Sequence, residues 1–206
     1  MITRNDNMQI IHYTNCMKYI CGIDEAGRGP LAGPVTASAV VLPDDFPIEI
    51  LADSKKLSSS NRLKAEKIIK ELALAWSVAW AAPTTIDSVN IHKATLITMK
   101  RAFEKLPLWV KDNCEVIVDG KFTPSIEAPV AAVIRGDSLI HEIMAASILA
   151  KTARDRWMEK IAKIYPEWGF EKHKGYPTKE HRLKCQEFGL SPIHRKSFNA
   201  GVFSGN

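Results

Sequence analysis

Short apolar runs alternate with amphipathic stretches along most of the chain. Five runs have the length and the small or β-branched residues of buried strands, and they cover 19–24, 34–42, 76–81, 115–119 and 130–134. Apolar positions at helical spacing lie between or after these runs, at 61–74, from 87 or 90 to 106, and at 138–164. Strands interleaved with helices predict an α/β fold built from layers.

Polar and proline residues predict where the helices begin and end. A serine among positions 58–60 is placed to cap the first helix, and Asp137 or Ser138 is placed to cap the long helix. Pro107 is expected to stop the helix that precedes it.

The same pattern suggests how the chain is organised. Residues 1–18 are polar and mixed, which predicts an N-terminal arm, and residues 19–164 hold the predicted strands and long helices of the core. Residues 165–206 carry prolines, glycines and basic residues, which predicts a C-terminal helical extension that packs on the core.

Composition restricts the class of protein without identifying it. Apolar residues make up 46% of the chain and charged residues 25%, which excludes a largely disordered protein. The net charge of +5 favours a polyanionic partner. Basic residues are concentrated in 172–196, although a merely solvated surface explains this cluster equally well.

The cysteines and the hydrophobic stretches indicate a compartment. Four cysteines occur without a CxxC pair, as expected for free thiols in a reducing environment. The N-terminal residues lack the apolar run of a signal peptide, and 72–82 is too short to span a bilayer. We therefore expect a cytoplasmic protein that does not bind membranes.

Carboxylates follow three of the predicted strands. Asp24 and Glu25 come at the end of the first, Asp119 ends the fourth, and Asp137 follows the fifth. Ligands of open α/β sheets bind at the carboxyl ends of strands, and several carboxylates gathered there would hold Mg²⁺. Each acid alone has a structural explanation, as a turn residue or a helix cap, and the metal hypothesis depends on their coincidence.

The two adjacent acids raise a geometric difficulty. Neighbouring side chains of a regular strand point to opposite faces of the sheet, so Asp24 and Glu25 can share a site only if the strand twists or ends there. Ala26 and Gly27 are expected to end it.

Motifs of serine hydrolases, zinc proteases and P-loop enzymes do not occur in the sequence.

Several motifs together resemble the ribonuclease HII family, the type 2 ribonucleases H. They are, in chain order, DEAGRGPLAGPV (24–35), DSKKLS (53–58), IVDG (117–120), GDS (136–138), AASILAKTARDR (145–156), YPEWGFEKHKGYPTKEH (165–181) and SPIHRKSF (191–198). The resemblance covers nearly the whole chain from 19 to 198. It implies a ribonuclease H-like mixed β-sheet flanked by helices, with a small C-terminal helical extension.

The resemblance also implies an activity. Enzymes of this family hydrolyse the RNA strand of RNA/DNA hybrids and cut on the 5′ side of single ribonucleotides embedded in duplex DNA, leaving a 3′-hydroxyl and a 5′-phosphate. Such an enzyme serves ribonucleotide and primer removal in replication and repair. The four acids Asp24, Glu25, Asp119 and Asp137 match the family's catalytic set, which would hold two Mg²⁺ or Mn²⁺ ions.

Further positions acquire expected roles from the same resemblance. The glycine-rich loop Gly27, Arg28 and Gly29 would contact the ribose 2′-hydroxyl, and Tyr176 would pack on the next sugar and favour an RNA–DNA junction. Out of this context, the loop would be a tight turn and the tyrosine an ordinary half-buried aromatic residue.

Phosphate contacts are predicted from basic and polar residues near these motifs. The candidates are Ser54, Lys55, Lys151, Arg154 and Arg195, with Lys56, Arg156 and Lys196 as weaker ones. For the weaker candidates, a solvated cation is an equally good interpretation.

Two alternatives of function remain open from the sequence. A ribonuclease HIII-like enzyme usually carries an extra N-terminal domain, for which an 18-residue arm is too short. A non-catalytic module that binds RNA/DNA hybrids would need the basic surface but not four acids beside a phosphate. A monomer is the family expectation, and the C-terminal FSGN gives no match to a motif for a sliding clamp.

Overall fold

The computed structural model describes residues 18–52 and 59–201. Most of the predicted arm and the predicted phosphate ligands Ser54 and Lys55, together with Lys56, lie outside the described residues.

Five strands form one mixed sheet in the order β3-β2-β1-β4-β5. They are β1 (Tyr19–Ala26), β2 (Val35–Val41), β3 (Ala75–Ala81), β4 (Cys114–Asp119) and β5 (Val130–Val133). The pairs β1–β2 and β2–β3 are antiparallel, whereas β1–β4 and β4–β5 are parallel. All five predicted strands and the α/β class are confirmed.

Seven α-helices occur in the described residues. They are α1 (Glu49–Ala52), α2 (Ser59–Leu72), α3 (Pro83–Glu104), α4 (Leu108–Lys111), α5 (His141–Ala162), α6 (Phe170–His173) and α7 (Lys179–Phe188). Single 3₁₀ turns cover Gly136–Ser138, Pro166–Trp168 and Lys196–Gly201. Within the described ranges, no helix is long and apolar enough to cross a membrane.

Helices cover both faces of the sheet. One face packs against α3 through Met99, Ala102 and Phe103. On the other face, Ala145 and Leu149 of α5 pack against Val40 of β2 and α2. Alternate side chains of the strands point to opposite faces of the sheet and pack into two separate apolar cores. The central strands are therefore buried on both sides.

The beginnings of two helices differ from the prediction. Asp137 and Ser138 do not cap α5, because they form a separate 3₁₀ turn and the extended residue Ile140 precedes the helix. Helix α3 begins already at Pro83, a residue whose fixed φ suits a first helical turn, and it is interrupted at Asn90.

The C-terminal segment is joined to the loop between β1 and β2 by backbone hydrogen bonds. The N–H of Leu31 donates to the carbonyl of Gly175 at 2.8 Å, and the N–H of Arg195 donates to the carbonyl of Leu31 at 2.8 Å. The N–H of Gly33 donates to Ile193 at 2.9 Å. This attachment brings the C-terminal segment beside the carboxyl end of β1.

Candidate active site

Asp24 lies near the carboxyl end of β1 and is almost completely buried, with 5% of its surface exposed. Its Oδ1 accepts a hydrogen bond from the backbone N–H of Glu25 at 2.7 Å, and its side chain is also hydrogen bonded to Ser147 of α5. The carboxylate is therefore on the α5 side of the sheet.

Glu25 follows on the same strand and is partly buried. Its Oε1 lies 3.4 Å from the guanidinium of Arg28, whereas its Oε2 is buried and has no hydrogen-bond partner. Strand β1 extends two residues beyond the predicted range of 19–24 and ends at Ala26, where Ala26 and Gly27 were expected to end it. A site shared by Asp24 and Glu25 must therefore lie at the edge of the sheet.

Asp119 is the last residue of β4, the parallel neighbour of β1. The register pairs Ile23 with Val118, so Asp24 and Asp119 follow at adjacent positions of neighbouring strands, which lie about 4.8 Å apart. The backbone N–H of Asp137 donates to Oδ1 of Asp119 at 3.3 Å. The topology thus gathers the four predicted acids at one edge of the sheet.

The carboxylates at this edge repel one another. Burial, followed by the charge of Glu25, raises the pKa of Asp24 well above its ordinary value; Asp119 raises it further, while the hydrogen bond from Ser147 acts against the shift. Burial also raises the pKa of Glu25, although the Arg28 cation partly opposes this. The charged forms of Asp24 and Glu25 are therefore disfavoured when no cation is bound.

This donor set fits a hard divalent cation. All four side chains offer carboxylate oxygens, the ligands that Mg²⁺ and Mn²⁺ prefer. Among them, the buried Oε2 of Glu25 would lose hydration without compensation unless a cation or its bound water satisfied it.

The glycine-rich loop follows β1 directly and is shaped by its glycines. Gly27 has a φ of +94°, and a Cβ atom there would lie 2.1 Å from Nε of Arg154. Any other residue would be strained and would displace this arginine. Arg28 and Gly29 are exposed, which leaves the loop open to a ligand beside the acids.

Two arginines expected to contact phosphate are instead completely buried beneath this loop. Arg154 donates to the carbonyls of Ala32, Pro34 and Lys174, each at 3.0 Å. Burial lowers its pKa from the ordinary value.

Arg195 supports the loop in the same way. Its guanidinium donates to the carbonyls of Gly27, Arg28, Gly33 and Pro34. Burial, and then the neighbouring Arg154 cation, lower its pKa. For Arg154 and Arg195 the predicted phosphate contact is therefore wrong, because both guanidinium groups are already occupied by backbone carbonyls and shielded from solvent.

Tyr176 is exposed at the open side of the loop. Its Cε1 lies 3.9 Å from the position that a Cβ of Gly29 would take. The cations of Lys151 and Arg154 lie 5.6 and 5.7 Å from the centre of its ring. Lys151 also pairs with Asp155 at 2.7 Å. The tyrosine and the glycine-rich loop thus form one continuous surface.

The weaker phosphate candidates lie elsewhere. Arg156 pairs with the buried carboxylate of Glu66. Lys196 is exposed, and its backbone N–H donates to Asp87 at 3.0 Å.

The sequence prediction missed an aromatic pair beside the acids. Phe122, 59% exposed, meets His92 edge to face with ring centres 4.6 Å apart. Both rings line a small cleft together with Glu25, Arg28 and Asp119. The sequence signal for this pair was a phenylalanine two residues after the Asp-Gly turn. His92 lies on α3, and only the fold brings it close to Phe122.

Solved structures identify the fold class. Ribonuclease H2 from Pyrococcus horikoshii is similar with a TM-score of 0.73 and 26% identity, covering 87% of this chain and 93% of that one. The ribonuclease HII of the PCNA complex from Archaeoglobus fulgidus gives a TM-score of 0.72 at 23% identity, covering 86% and 94%. The fold is that of the ribonuclease H-like class.

Sequence comparison defines the family within this class. A family model described as ribonuclease HII matches residues 21–200. Ribonuclease HII of Treponema denticola is 48% identical over 87% of this chain and 97% of its own length. The chain belongs to the ribonuclease HII family, whose members are metal-dependent endoribonucleases of the ribonuclease H class that act on RNA/DNA hybrids. This sets aside the non-catalytic module and the ribonuclease HIII alternative.

Proposed function

We propose that Asp24, Glu25, Asp119 and Asp137 are the catalytic residues of this ribonuclease and hold two Mg²⁺ or Mn²⁺ ions at the scissile phosphate. The observation that carries this proposal is the buried Oε2 of Glu25, which has no hydrogen-bond partner in the midst of other carboxylates. When bound, two such ions activate a water and stabilise the leaving oxygen of a phosphodiester.

The glycine-rich loop recognises the ribose in this proposal. The carbonyls of Gly27 and Arg28 are both engaged by Arg195, which fixes the loop while its outer surface stays exposed. A backbone held in this way can meet a 2′-hydroxyl, the group that distinguishes RNA from DNA. Its position directly after the acids supports this role, because a sugar bound there would lie beside the reacting phosphate.

Tyr176 selects the nucleotide that follows. Its ring lies over Gly29 and is exposed, so it can pack against the neighbouring sugar. A second 2′-hydroxyl at this sugar would crowd the ring, which favours a ribonucleotide followed by DNA. Lys151, whose ammonium lies 5.6 Å from the centre of this ring, is the cation proposed to contact a nearby phosphate.

The reaction is hydrolysis on the 5′ side of the ribonucleotide. A water oxygen bonds to phosphorus, and the bond from phosphorus to the 3′ oxygen of the preceding nucleotide breaks. That oxygen takes up a proton and becomes a 3′-hydroxyl, while the ribonucleotide keeps a 5′-phosphate. The acids bind and orient the reacting groups and undergo no covalent change.

The proposed partner is an RNA/DNA hybrid or a DNA duplex that contains a ribonucleotide. We expect the protein to act on it as a monomer, which light scattering with and without the duplex would measure. The complex with PCNA is a property of the Archaeoglobus protein, and a sliding clamp stays without an assigned surface in this chain.

The test is cleavage of an end-labelled DNA duplex that carries one ribonucleotide, in Mg²⁺, Mn²⁺ or EDTA. We expect a metal-dependent cut immediately 5′ of the ribonucleotide and none in an all-DNA duplex. Asp24→Asn should lower the rate on the order of 100-fold or more, as expected for a group that stabilises the transition state. Cleavage that persists in EDTA or in the variant would contradict the assignment.

A further inference from the structure

Three imidazoles are buried together in the C-terminal segment, beneath Tyr176. The exposed fractions of His173, His181 and His194 are 8, 0 and 3%. The rings of His173 and His181 stack with their centres 4.3 Å apart, and the thiol of Cys185 lies 3.2 Å from Nε2 of His194. None of these side chains belongs to the carboxylate site.

Hydrogen-bond partners fix the tautomer of His194. The backbone N–H of Ser191 donates to Nδ1 of this ring at 2.9 Å, so Nδ1 must carry a lone pair. The proton of the neutral ring is therefore on Nε2, which lies 3.0 Å from Nε2 of His181.

His181 has the complementary tautomer. Its Nδ1 lies 2.9 Å from the carbonyl oxygen of Tyr176, and a carbonyl only accepts. The proton of this ring is therefore on Nδ1, and its Nε2 accepts from His194. The chain of donors runs in one direction, from the N–H of Ser191 through both rings to the carbonyl of Tyr176.

His173 supports the same segment from the other side. The N–H of Gly175 donates to its Nδ1 at 3.2 Å, and its Nε2 lies 2.8 Å from the carbonyl of Trp168. Gly175 has a φ of +84°, and a Cβ there would come within 2.6 Å of the carbonyl oxygen of Ala32. The residues that carry Tyr176 are thus held at a close approach to the loop between β1 and β2.

A metal ion is the obvious competing interpretation, because one ligand atom each from His181, Cys185 and His194 lie within 4.8 Å of one another. The tautomers argue against it. A histidine that binds a metal through Nε2 donates its Nδ1 proton to an acceptor, but Nδ1 of His194 faces an N–H donor. Burial also raises the pKa of the Cys185 thiol to about 11, which disfavours the thiolate.

We propose that His181 and His194 are positioning residues that set the selectivity of the enzyme for RNA–DNA junctions, by holding the backbone of Tyr176 through one directed chain of hydrogen bonds. The inference rests on the proposed role of Tyr176 at the sugar that follows the ribonucleotide. A shift of the tyrosine ring by a fraction of an ångström would loosen its discrimination of the second 2′-hydroxyl without touching the acids.

The test compares kcat/KM on a duplex with one ribonucleotide and on a duplex with a continuous RNA strand. We expect His181→Ala to lower the ratio of the two values about 10-fold, as misplacement of a positioning group does. His181→Asn retains a donor at the place of Nδ1 but offers no acceptor to His194, so it should recover only part of the ratio, to about threefold below the wild-type value. Tyr176→Ala is the positive control.

Phe170→Leu is the matched control for loosened packing. Its ring contacts both His181 and His194 and makes no hydrogen bond in their chain. We expect it to lower the unfolding temperature and leave the ratio unchanged. An equal loss in Phe170→Leu and His181→Ala, or no loss in His181→Ala while Tyr176→Ala lowers the ratio, would overturn the inference.

Two further outcomes separate this inference from the proposed function. Nitrogen NMR of the wild-type protein should show the Nδ1–H tautomer for one buried histidine and the Nε2–H tautomer for two. Any other distribution of tautomers would overturn the directed chain of hydrogen bonds. One equivalent of bound zinc, lost in Cys185→Ala, would also overturn it. A wild-type protein that cleaves neither substrate would instead contradict the proposed function, and with it the inference.

Discussion

Asp24 illustrates how a single residue can oppose folding and yet serve the reaction. Its carboxylate is buried beside Glu25 and Asp119, and both raise its pKa. Asp24→Asn keeps the shape of the side chain and removes the charge. Without divalent cations, we expect the variant to unfold at a higher temperature, by about 2–4 °C if the relief is about 1 kcal/mol. Differential scanning calorimetry in EDTA measures this.

Asp112→Asn is the matched control, since Asp112 is an exposed acid. Its unfolding temperature should stay within error of the wild-type value. An Asp24→Asn variant that unfolds at or below the wild-type temperature would show that hydrogen bonds to the carboxylate outweigh the repulsion.

Phe122 is the exposed aromatic residue that lines the cleft of the acids. Stacking of a base or sugar on such a ring contributes about 1–3 kcal/mol. We expect Phe122→Ala to raise KM about fivefold or more and to change kcat little, because the ring binds the substrate equally before and during the reaction. Steady-state kinetics on the duplex with one ribonucleotide measures both constants.

The control for this variant is Trp109→Ala. Trp109 is also half exposed and aromatic, but it packs on Tyr19 at the opposite end of β1. Its KM should not change. If Phe122→Ala lowers kcat alone, the ring acts on the chemistry and not on substrate binding.

At the scale of residues, the sequence predicted the acids better than the cations. Carboxylates at strand ends are visible in a sequence because the strands themselves are, and parallel β1 and β4 bring Asp24 and Asp119 together. The burial of Arg154 and Arg195 could not be predicted, because all of their partners except Lys174 are backbone carbonyls more than 100 residues away.

Individual elements were predictable where one physical signal dominates. The strands carry short apolar runs, and all five were found from them. The start of α5 was missed because Asp137 and Ser138 suit an N-cap locally, whereas the chain first makes a 3₁₀ turn that presents the N–H of Asp137 to Asp119. At this turn the hydrogen bond to Asp119, and not helix propensity, decides the conformation of the backbone.

The interruption of α3 leads to a prediction for this element. Asn90 has φ 69° and ψ 165°, a region that favours glycine, and its Oδ1 accepts from the N–H of Lys93 at 3.0 Å. Asn90→Ala loses the cap and keeps the unfavourable backbone, so we expect a loss of about 1–2 kcal/mol in the free energy of unfolding. Urea denaturation measures it.

Asn90→Gly separates the two contributions. Glycine also loses the cap but adopts this backbone without strain, so it should be less destabilising than alanine. If alanine proves equal to glycine or better, the backbone at position 90 is not the constraint.

On the scale of the whole molecule, the C-terminal segment completes the site that the sheet begins. The acids come from β1, β4 and the turn after β5, whereas Tyr176 and Arg195, one of the two arginines that support the glycine-rich loop, come from beyond α5. The sequence indicated an extension from its prolines and basic residues. It could not indicate that Arg195 would anchor the loop after β1, because that contact joins the two ends of the fold.

Because the C-terminal extension buries neutral imidazoles that hydrogen bond to each other and to its own backbone, the stability of the whole molecule should depend on pH. Burial is the main cause that lowers the pKa of His181 and of His194 to about 4, from about 6.5 in the unfolded chain. Between these values the unfolded state binds protons that the folded state does not, so stability is fully present above pH 6.5 and is lost as the pH falls toward 4. The slope reaches about 1.4 kcal/mol per pH unit for each ring.

Urea denaturation at pH 7.5, 6.5, 5.5 and 5.0, followed by tryptophan fluorescence, tests this dependence against two variants. His194→Gln removes one of the titrating rings, so its free energy of unfolding should fall less steeply with acidification than that of the wild-type protein. Other titrating groups act in both proteins and cancel in the difference. His141→Gln changes an exposed histidine and should keep the wild-type slope. Equal slopes in the wild-type protein and His194→Gln would mean that the ring of His194 is not held neutral, and would contradict the directed chain of hydrogen bonds within the extension.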